Sequence, residues 1–285
     1  MRFVKMHGAG NDYIYVDARQ SVIGTQGRDW SEVARQVSDR HFGIGSDGLI
    51  LLRESEVGDA RMQMFNADGS EGMMCGNGIR CLVRFGLESN ALLSDKNAFH
   101  IETASGVLNV RPIWSEGQMT HASVSMGAPR LRAAEVPVTA PGEGGPVLDF
   151  PLSVDEYSLL LNCVSMGNPH AVVFLKDPVE DFPLTEIGPK VERHQMFPEG
   201  VNFEIVNVLD RGRIRVRVWE RGSGITLACG TGACAVVVAA RLHGLVDDEV
   251  TVELPGGELK IFWPGDGEVI MEGPVSRVFE GEWPA

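Results

Sequence analysis

Two cysteines in this 285-residue chain stand in the same local setting. Cys75-Gly76-Asn77-Gly78 precedes the helix-like run from Ile79 to Leu87, and Cys229-Gly230-Thr231-Gly232 precedes the run from Ala233 to Leu242. A thiolate is both a nucleophile and a base. Free cysteine ionises near pH ~8.5, and a helix N-terminus lowers that value. The first amides of a helix point out of its end, where they bind carboxylates and phosphates. Two such turns brought together supply two bases and two sets of anion donors. That equipment suits removal of the α-proton of an amino acid. The helix ends hold the α-carboxylate and stabilise the charge that develops as the proton leaves. One thiolate takes the proton and the opposite thiol returns one on the other face. Configuration inverts, and the chemistry requires neither a metal nor an organic cofactor.

A second group of polar residues surrounds these turns in sequence. Arg221 can fork onto a carboxylate, and Glu220 beside it can accept from an ammonium. A lone Glu-Arg step is more often a solvated pair, a lone histidine such as His170 a structural hydrogen-bonder, and Asn-Gly or Asn-Pro steps simple turns. Their places within an internal repeat raise them above those readings. Asn11 precedes Cys75 by 64 positions and Asn168 precedes Cys229 by 61; Phe65 and Trp219 each lie ten before their cysteine. Gly48 lies 18 before Asn66, as Asn202 lies 18 before Glu220, and Glu102 to Leu108 resembles Glu253 to Leu259. Matches in one order, at offsets of 151 to 157, predict a duplicated fold.

The elements that must position these residues are short. Strands are expected at Phe3 to Met6, Tyr13 to Asp17, Leu49 to Leu52, Arg61 to Asn66, His100 to Thr103, Val107 to Arg111 and Val124 to Met126, with a tight loop from His7 to Asp12. Ser31 to Phe42 reads as a helix capped by Ser31. Thr139 to Pro146 is Gly/Pro-rich and polar, a surface loop. The run Ala233 to Ala240 is apolar all round, so it should be buried. Cys81, Cys163 and Cys234 read as core, and Arg80 and Arg84 as an exposed helix face. The expected fold is α/β (α+β): two pseudo-symmetric domains, 1–127 with 275–285 and 128–274. Each is a β-barrel-like sheet around a central helix, with the active site in the cleft between them.

Bulk composition narrows the partners. A net charge of −14 argues against general nucleic-acid binding. The N-terminus has no apolar core of signal-peptide length, and the longest apolar run falls far short of a membrane span. Five cysteines without a C-x-x-C pair fit a reducing cytoplasm better than a disulfide framework.

The motifs K-M-H-G-A-G-N-D from Lys5, F-N-A-D-G-S-E from Phe65, C-G-N-G-I-R-C from Cys75, S-M-G-N-P-H from Ser165, G-V-N from Gly200, W-E-R-G from Trp219 and A-C-G-T-G-A-C from Ala228 run over nearly the whole chain. It resembles the diaminopimelate epimerases, cofactor-independent enzymes of lysine and peptidoglycan-precursor biosynthesis. The resemblance implies a homodimer that interconverts LL- and meso-diaminopimelate. It implies that Cys75 and Cys229 are the acid/base pair, and that Gly76, Asn77, Gly230 and Thr231 bind the carboxylate at the reacting centre. Asn11, Asn66, Asn168, Asn202 and Arg221 then recognise the rest of the substrate. Glu220 and the Arg221 backbone receive the distal ammonium, and His170 and Glu220 assist catalysis. Some members carry Gln where this chain has Gly48, which leaves only backbone for contact there.

Other chemistries share these residues. A proline- or hydroxyproline-type racemase also uses two thiols, and a relative in phenazine biosynthesis isomerises through a carboxylate. A thiol-based metal or redox-sensing protein is the non-enzyme alternative, although the ligand spacings of structural zinc are missing.

Overall fold

The computed structural model describes residues 1–22, 27–139 and 145–284. It divides into two compact units, Met1–Ser125 with Glu272–Ala285, and Met126–Met271. The loop expected from Thr139 to Pro146 falls largely on 140–144, outside the described residues. No helix among the described residues is long and apolar enough to cross a membrane.

The first unit begins with a hairpin of β1 (Arg2–Gly8) and β2 (Asn11–Asp17). Ala9 and Gly10 turn it with φ of 51° and 81°, the paired left-handed residues that match the twist of a two-residue hairpin. Then come α1 (Trp30–Ser38), β3 (Gly48–Arg53), β4 (Ala60–Asn66), the short β5 (Glu71–Gly72), α2 (Gly76–Glu88), β6 (Phe99–Thr103), β7 (Gly106–Ser115) and β8 (Gln118–Ser125). β2 and β3 run parallel, as do β4 and β6; β3 with β4 and β6 with β7 are antiparallel. Helix α2 packs against β1, β2 and β3 and also against β7 and β8. The sheet therefore curls round it.

Strand alternation explains the layering, because successive side chains point to opposite faces. Ile14 and Val16 join Trp30, Ala34 and Val37 in the core under α1. Asn11, Tyr13 and Tyr15 share the other face, and Tyr15 Oη donates to Gly78 O at the start of α2.

The second unit repeats this plan. It runs β9 (Val147–Val154), β10 (Tyr157–Ser165), β11 (Pro169–Phe174), α3 (Leu184–Glu192), β12 (Asn202–Asp210), β13 (Arg213–Glu220), β14 (Gly224–Ile225), α4 (Gly230–Leu242), β15 (Glu249–Leu254) and β16 (Gly257–Phe262). β17 (Ile270–Pro274) leads back to the first unit, where β18 (Ser276–Glu282) pairs with β1. Again two parallel pairings, β11 with β12 and β13 with β15, alternate with antiparallel ones. Registers match too. Tyr13 pairs with Gly48 and Leu49 with Phe65; His170 pairs with Asn202 and Phe203 with Trp219. Helix α4 is buried along its apolar length and packs on β10, β11, β12 and β16.

Three details differ from the sequence reading. Helix α1 is capped by Asp29, whose carboxylate accepts from the Ser31 and Glu32 amides, while the Ser31 hydroxyl donates to Gly69 O. Asp39 then accepts from the His41 and Phe42 amides, a local turn that ends the helix early. Arg80 does not face solvent: it is fully buried, and Arg84 is mostly covered, its Nη1 donating to Val275 O. Helix α3 is not announced by the sequence, because Gly188 and Pro189 read as breakers. It forms because Leu184, Ile187 and Val191 share one buried face, and Gly188 is the close-approach point, where a Cβ would stand 2.6 Å from the Trp219 ring.

Candidate active site

Both singled-out cysteines are helix N-caps with extended backbone. Cys75 Sγ accepts from the Gly78 amide at 3.3 Å and Cys229 Sγ from the Gly232 amide at 3.4 Å. A thiol sulfur here takes the place usually held by a serine or aspartate oxygen. The glycines three residues on are required by packing. A Cβ on Gly78 would stand 2.5 Å from Ile50 Cδ1, and one on Gly232 would stand 2.8 Å from Glu204 Oε1 and 3.2 Å from Cys229 Sγ.

In the first unit, Asn11 is the hub. Its Nδ2 donates to Asp47 Oδ2 at 2.7 Å, which turns Oδ1 toward the helix. That oxygen accepts from Cys75 Sγ at 3.2 Å and from Asn77 Nδ2 at 3.5 Å. Cys75 is half-buried, and Gly76 and Asn77 are buried. Gly48 is buried too, with Phe65 O and the Tyr13 ring filling the space a side chain would need. Asn66 pairs with Gly48 in the sheet, but its side chain is exposed and donates to Ser70 Oγ. The structure thus gathers Asn11, Cys75, Gly76 and Asn77 and leaves the Asn66 side chain outside that network.

In the second unit the residues form a chain of contacts. His170 and Glu204 are fully buried. His170 Nδ1 meets Glu204 Oε1 at 2.7 Å, and Nε2 meets Asn168 Oδ1 at 3.1 Å. Asn168 Nδ2 donates to Thr231 Oγ1 at 3.2 Å, and Thr231 Oγ1 lies 3.5 Å from Cys229 Sγ. Glu220 accepts from Thr226 Oγ1 at 2.5 Å and hydrogen-bonds Cys229. Asn202 bridges backbone: its Nδ2 donates to Pro169 O at 2.8 Å and its Oδ1 accepts from the Arg221 amide at 3.0 Å. Glu192 on α3 braces the same turn, accepting from Trp219 Nε1 at 2.7 Å and the Gly222 amide at 3.0 Å. Arg221 reaches out to Glu199 O and lines a hollow of about 420 Å³ with Arg130, Glu135, Ser165, Gly167 and Glu199. Gly230 is buried at the helix start.

The electrostatics correct one expectation. A helix start is expected to lower the thiol, yet Cys229 is pushed well above the ordinary range. Burial is the main cause, with the Glu220 and Glu204 carboxylates adding to it, while Thr231 and the Gly232 amide act the other way. Burial likewise raises the Glu220 carboxyl above its usual range. Cys229 therefore holds its proton more firmly than an ordinary thiol. Sequence reasoning missed Glu192 and Glu204. Glu204 sits two residues beyond Asn202 on the same face of β12, so strand period was the available signal; nothing local marks Glu192. All five cysteines are unbridged. Among the described residues, no three His, Cys, Asp or Glu side chains cluster where they could hold a metal ion.

The family model for diaminopimelate epimerase matches residues 3–132 and 162–278. Proteins named diaminopimelate epimerase from Methanococcus maripaludis and Acetivibrio thermocellus are each 47% identical over 283 residues, spanning 99% of this chain and 99% and 98% of theirs. One from Bacillus cereus is 46% identical over 281 residues, covering 98% of this chain and 96% of its own. Among solved structures, a Bacillus anthracis phenazine biosynthesis protein of the PhzF family superposes with a TM-score of 0.69 at 17% identity, covering 100% of this chain and 99% of that one. A hydroxyproline epimerase from Agrobacterium vitis superposes with a TM-score of 0.69 at 15% identity, over 99% and 90% of the two chains. At that identity the likeness concerns the two-domain epimerase fold. The near-full-length matches go further: this chain belongs to the diaminopimelate epimerase family and is an amino-acid epimerase.

Proposed function

We propose that the protein interconverts LL-2,6-diaminopimelate and meso-2,6-diaminopimelate without a cofactor, in lysine and peptidoglycan-precursor biosynthesis. The observation that carries this reading is the duplicated thiol cap, Cys75 on α2 and Cys229 on α4. In this mechanism one sulfur, as thiolate, takes the α-hydrogen. The electron pair of the broken C–H bond spreads into the α-carboxylate, which the amides at Gly76, Asn77, Gly230 and Thr231 hold. The other sulfur, as thiol, protonates the opposite face, and the reverse reaction exchanges their roles. His170 and Glu220 assist the Cys229 side, in keeping with their contacts there.

Recognition of the distal amino-carboxylate falls to Asn11, Asn66, Asn168, Asn202, Glu220 and Arg221, with only backbone offered by Gly48. The Arg221 hollow supports this, since it presents guanidinium and carboxylate groups side by side. The proposed working form is a cytoplasmic homodimer. Unbridged cysteines fit a reducing compartment, and β18 presents Val278 and Phe279 at 52% and 44% exposure, apolar surface that a second copy would cover.

The deciding assay is turnover of LL-diaminopimelate in deuterated water. Solvent deuterium should enter the α-position, and Cys75→Ala and Cys229→Ala should each abolish epimerisation. Full activity in either variant rejects the two-thiol mechanism, and turnover of proline but not diaminopimelate rejects the substrate.

A further inference from the structure

Arg80 is the largest fully buried side chain among the described residues. It lies on α2 just past the Cys75 turn and bends back to it. Nη1 donates to Gly76 O at 3.1 Å and Nη2 to Asn77 Oδ1 at 2.8 Å. Gly8 makes room overhead, since a Cβ there would stand 2.9 Å from Nη2 and 3.3 Å from the Asn77 Cβ. The bond to Asn77 Oδ1 directs the Asn77 Nδ2 toward Asn11 Oδ1, the oxygen that also receives Cys75 Sγ.

These two partners of the guanidinium are neutral oxygens. They accept from its N–H groups and leave its charge in place, and arginine keeps that charge at any ordinary pH. The duplicate position in the second unit, under the same kind of turn, is Cys234, which is also fully buried but carries no such cation.

We propose that Arg80 is a positioning residue of the Cys75 half-site: its guanidinium sets the Gly76–Asn77 turn, and its fixed charge favours the Cys75 thiolate. The assignment deepens the reading of Cys75 as one member of the acid/base pair and rests on it. Other ionisable groups face Cys75 within its unit: Tyr13 and Tyr15 from β2, Cys81 from α2, and Asp47, which acts through Asn11. Burial raises both phenols, so neither tyrosine brings a charge. Cys81 is pushed up to about 11, with Arg80 opposing that rise. Asp47 is paired with Arg40 at 2.9 Å, and Arg80 has the sign that helps a thiolate.

The test is iodoacetamide alkylation of substrate-free protein across pH, with the Cys75 and Cys229 fragments separated by mass spectrometry. In Arg80→Met the Cys75 rate at pH ~8 should fall about tenfold, the effect of removing one nearby opposite charge, while the Cys229 rate stays within about twofold. Arg80→Lys keeps the charge but not the fork, so Cys75 should stay within about threefold of wild type. A folded Arg80→Met with wild-type Cys75 reactivity overturns the proposal. So does an Arg80→Lys protein, whether or not the methionine variant folds, whose Cys75 rate drops tenfold. Alkylation needs no turnover, so a failed epimerase assay and a failed Arg80 assignment are separate outcomes.

Discussion

Ile50 and Glu204 hold the same place in the two units. Each lies on the second strand of a parallel pair, two residues beyond Gly48 or Asn202, and each presses on the glycine that closes a cysteine turn. On one side the contact is a methyl group against Gly78; on the other it is a carboxylate against Gly232. With Arg80 under Cys75 and Glu204 beside Cys229, a duplicated scaffold has acquired opposite local charge at its two thiols. In the proposed two-thiol mechanism, such an asymmetry would decide which sulfur starts with the proton.

Glu204 should therefore keep Cys229 protonated, together with burial and Glu220. In Glu204→Gln one like charge is removed, and the Cys229 thiol should titrate at lower pH. The expected readout is an alkylation rate at Cys229 raised about tenfold near pH ~9, with Cys75 unaffected. An unchanged Cys229 profile in a folded variant would show that the carboxylate only holds His170.

The buried core thiols give the fold an alkaline limit. Burial pushes Cys81 up to about 11 and Cys163 up to about 12, whereas an unfolded chain ionises them near ~8.5. The folded state thus binds more protons at high pH. Their contribution is fully present below pH ~8.5 and is lost as pH rises through the folded values. Each thiol contributes about 1.4 kcal/mol for every pH unit that separates its unfolded and folded midpoints. Denaturant midpoints should fall steadily above pH ~9. Cys163→Ala should flatten that fall while lowering stability at neutral pH by roughly 1–2 kcal/mol through its small cavity; equal slopes for the two proteins would exclude Cys163 as a cause.

Much of this fold was legible because its signals are local. Alternating strands, a wholly apolar helix at Ala233 to Ala240 and glycines at repeated offsets each report on their own few residues. The contacts of the two cysteine caps with Asn11, Asn168, Thr231 and Glu220 were legible because those residues lie in repeated motifs. What escaped depends on tertiary context. Arg80 reads as a surface residue on composition alone; the space over Gly8 and the Gly76 and Asn77 oxygens that receive its guanidinium come from distant folding and from the turn itself. Ser31 has a capping hydroxyl, but Gly69 claims it and Asp29 caps instead. Pro189 breaks an isolated helix, yet α3 survives because packing on Trp219 outweighs one lost bond.

Gly48 is a packing residue in this chain. A Cβ there would stand 2.1 Å from Phe65 O and 3.0 Å from Tyr13 Cε1. Tyr13 faces Cys75 and Asn11, so displacing its ring disturbs the thiol side of the unit. Gly48→Ala should cost about 1–3 kcal/mol by overpacking and reduce kcat more than it raises KM. A thermal denaturation midpoint equal to wild type would mean that the β3–β4 pair yields more easily than this contact implies.

Glu192 is predicted to act on substrate binding from a distance. Its two oxygens hold Trp219 Nε1 and the Gly222 amide, on either side of Glu220 and Arg221. Glu192→Ala leaves a partly buried indole N–H and a backbone N–H without these partners, a loss of roughly 2–4 kcal/mol. The turn then keeps only Asn202 to fix the Arg221 amide. KM for diaminopimelate should rise at least several-fold with a smaller change in kcat, because Cys229 and its cap are untouched. Glu192→Gln, which can still accept one of the two bonds, should fall between wild type and alanine in both stability and KM. If alanine and glutamine variants bind substrate as wild type does, the turn is rigid on its own and Glu192 serves the fold alone.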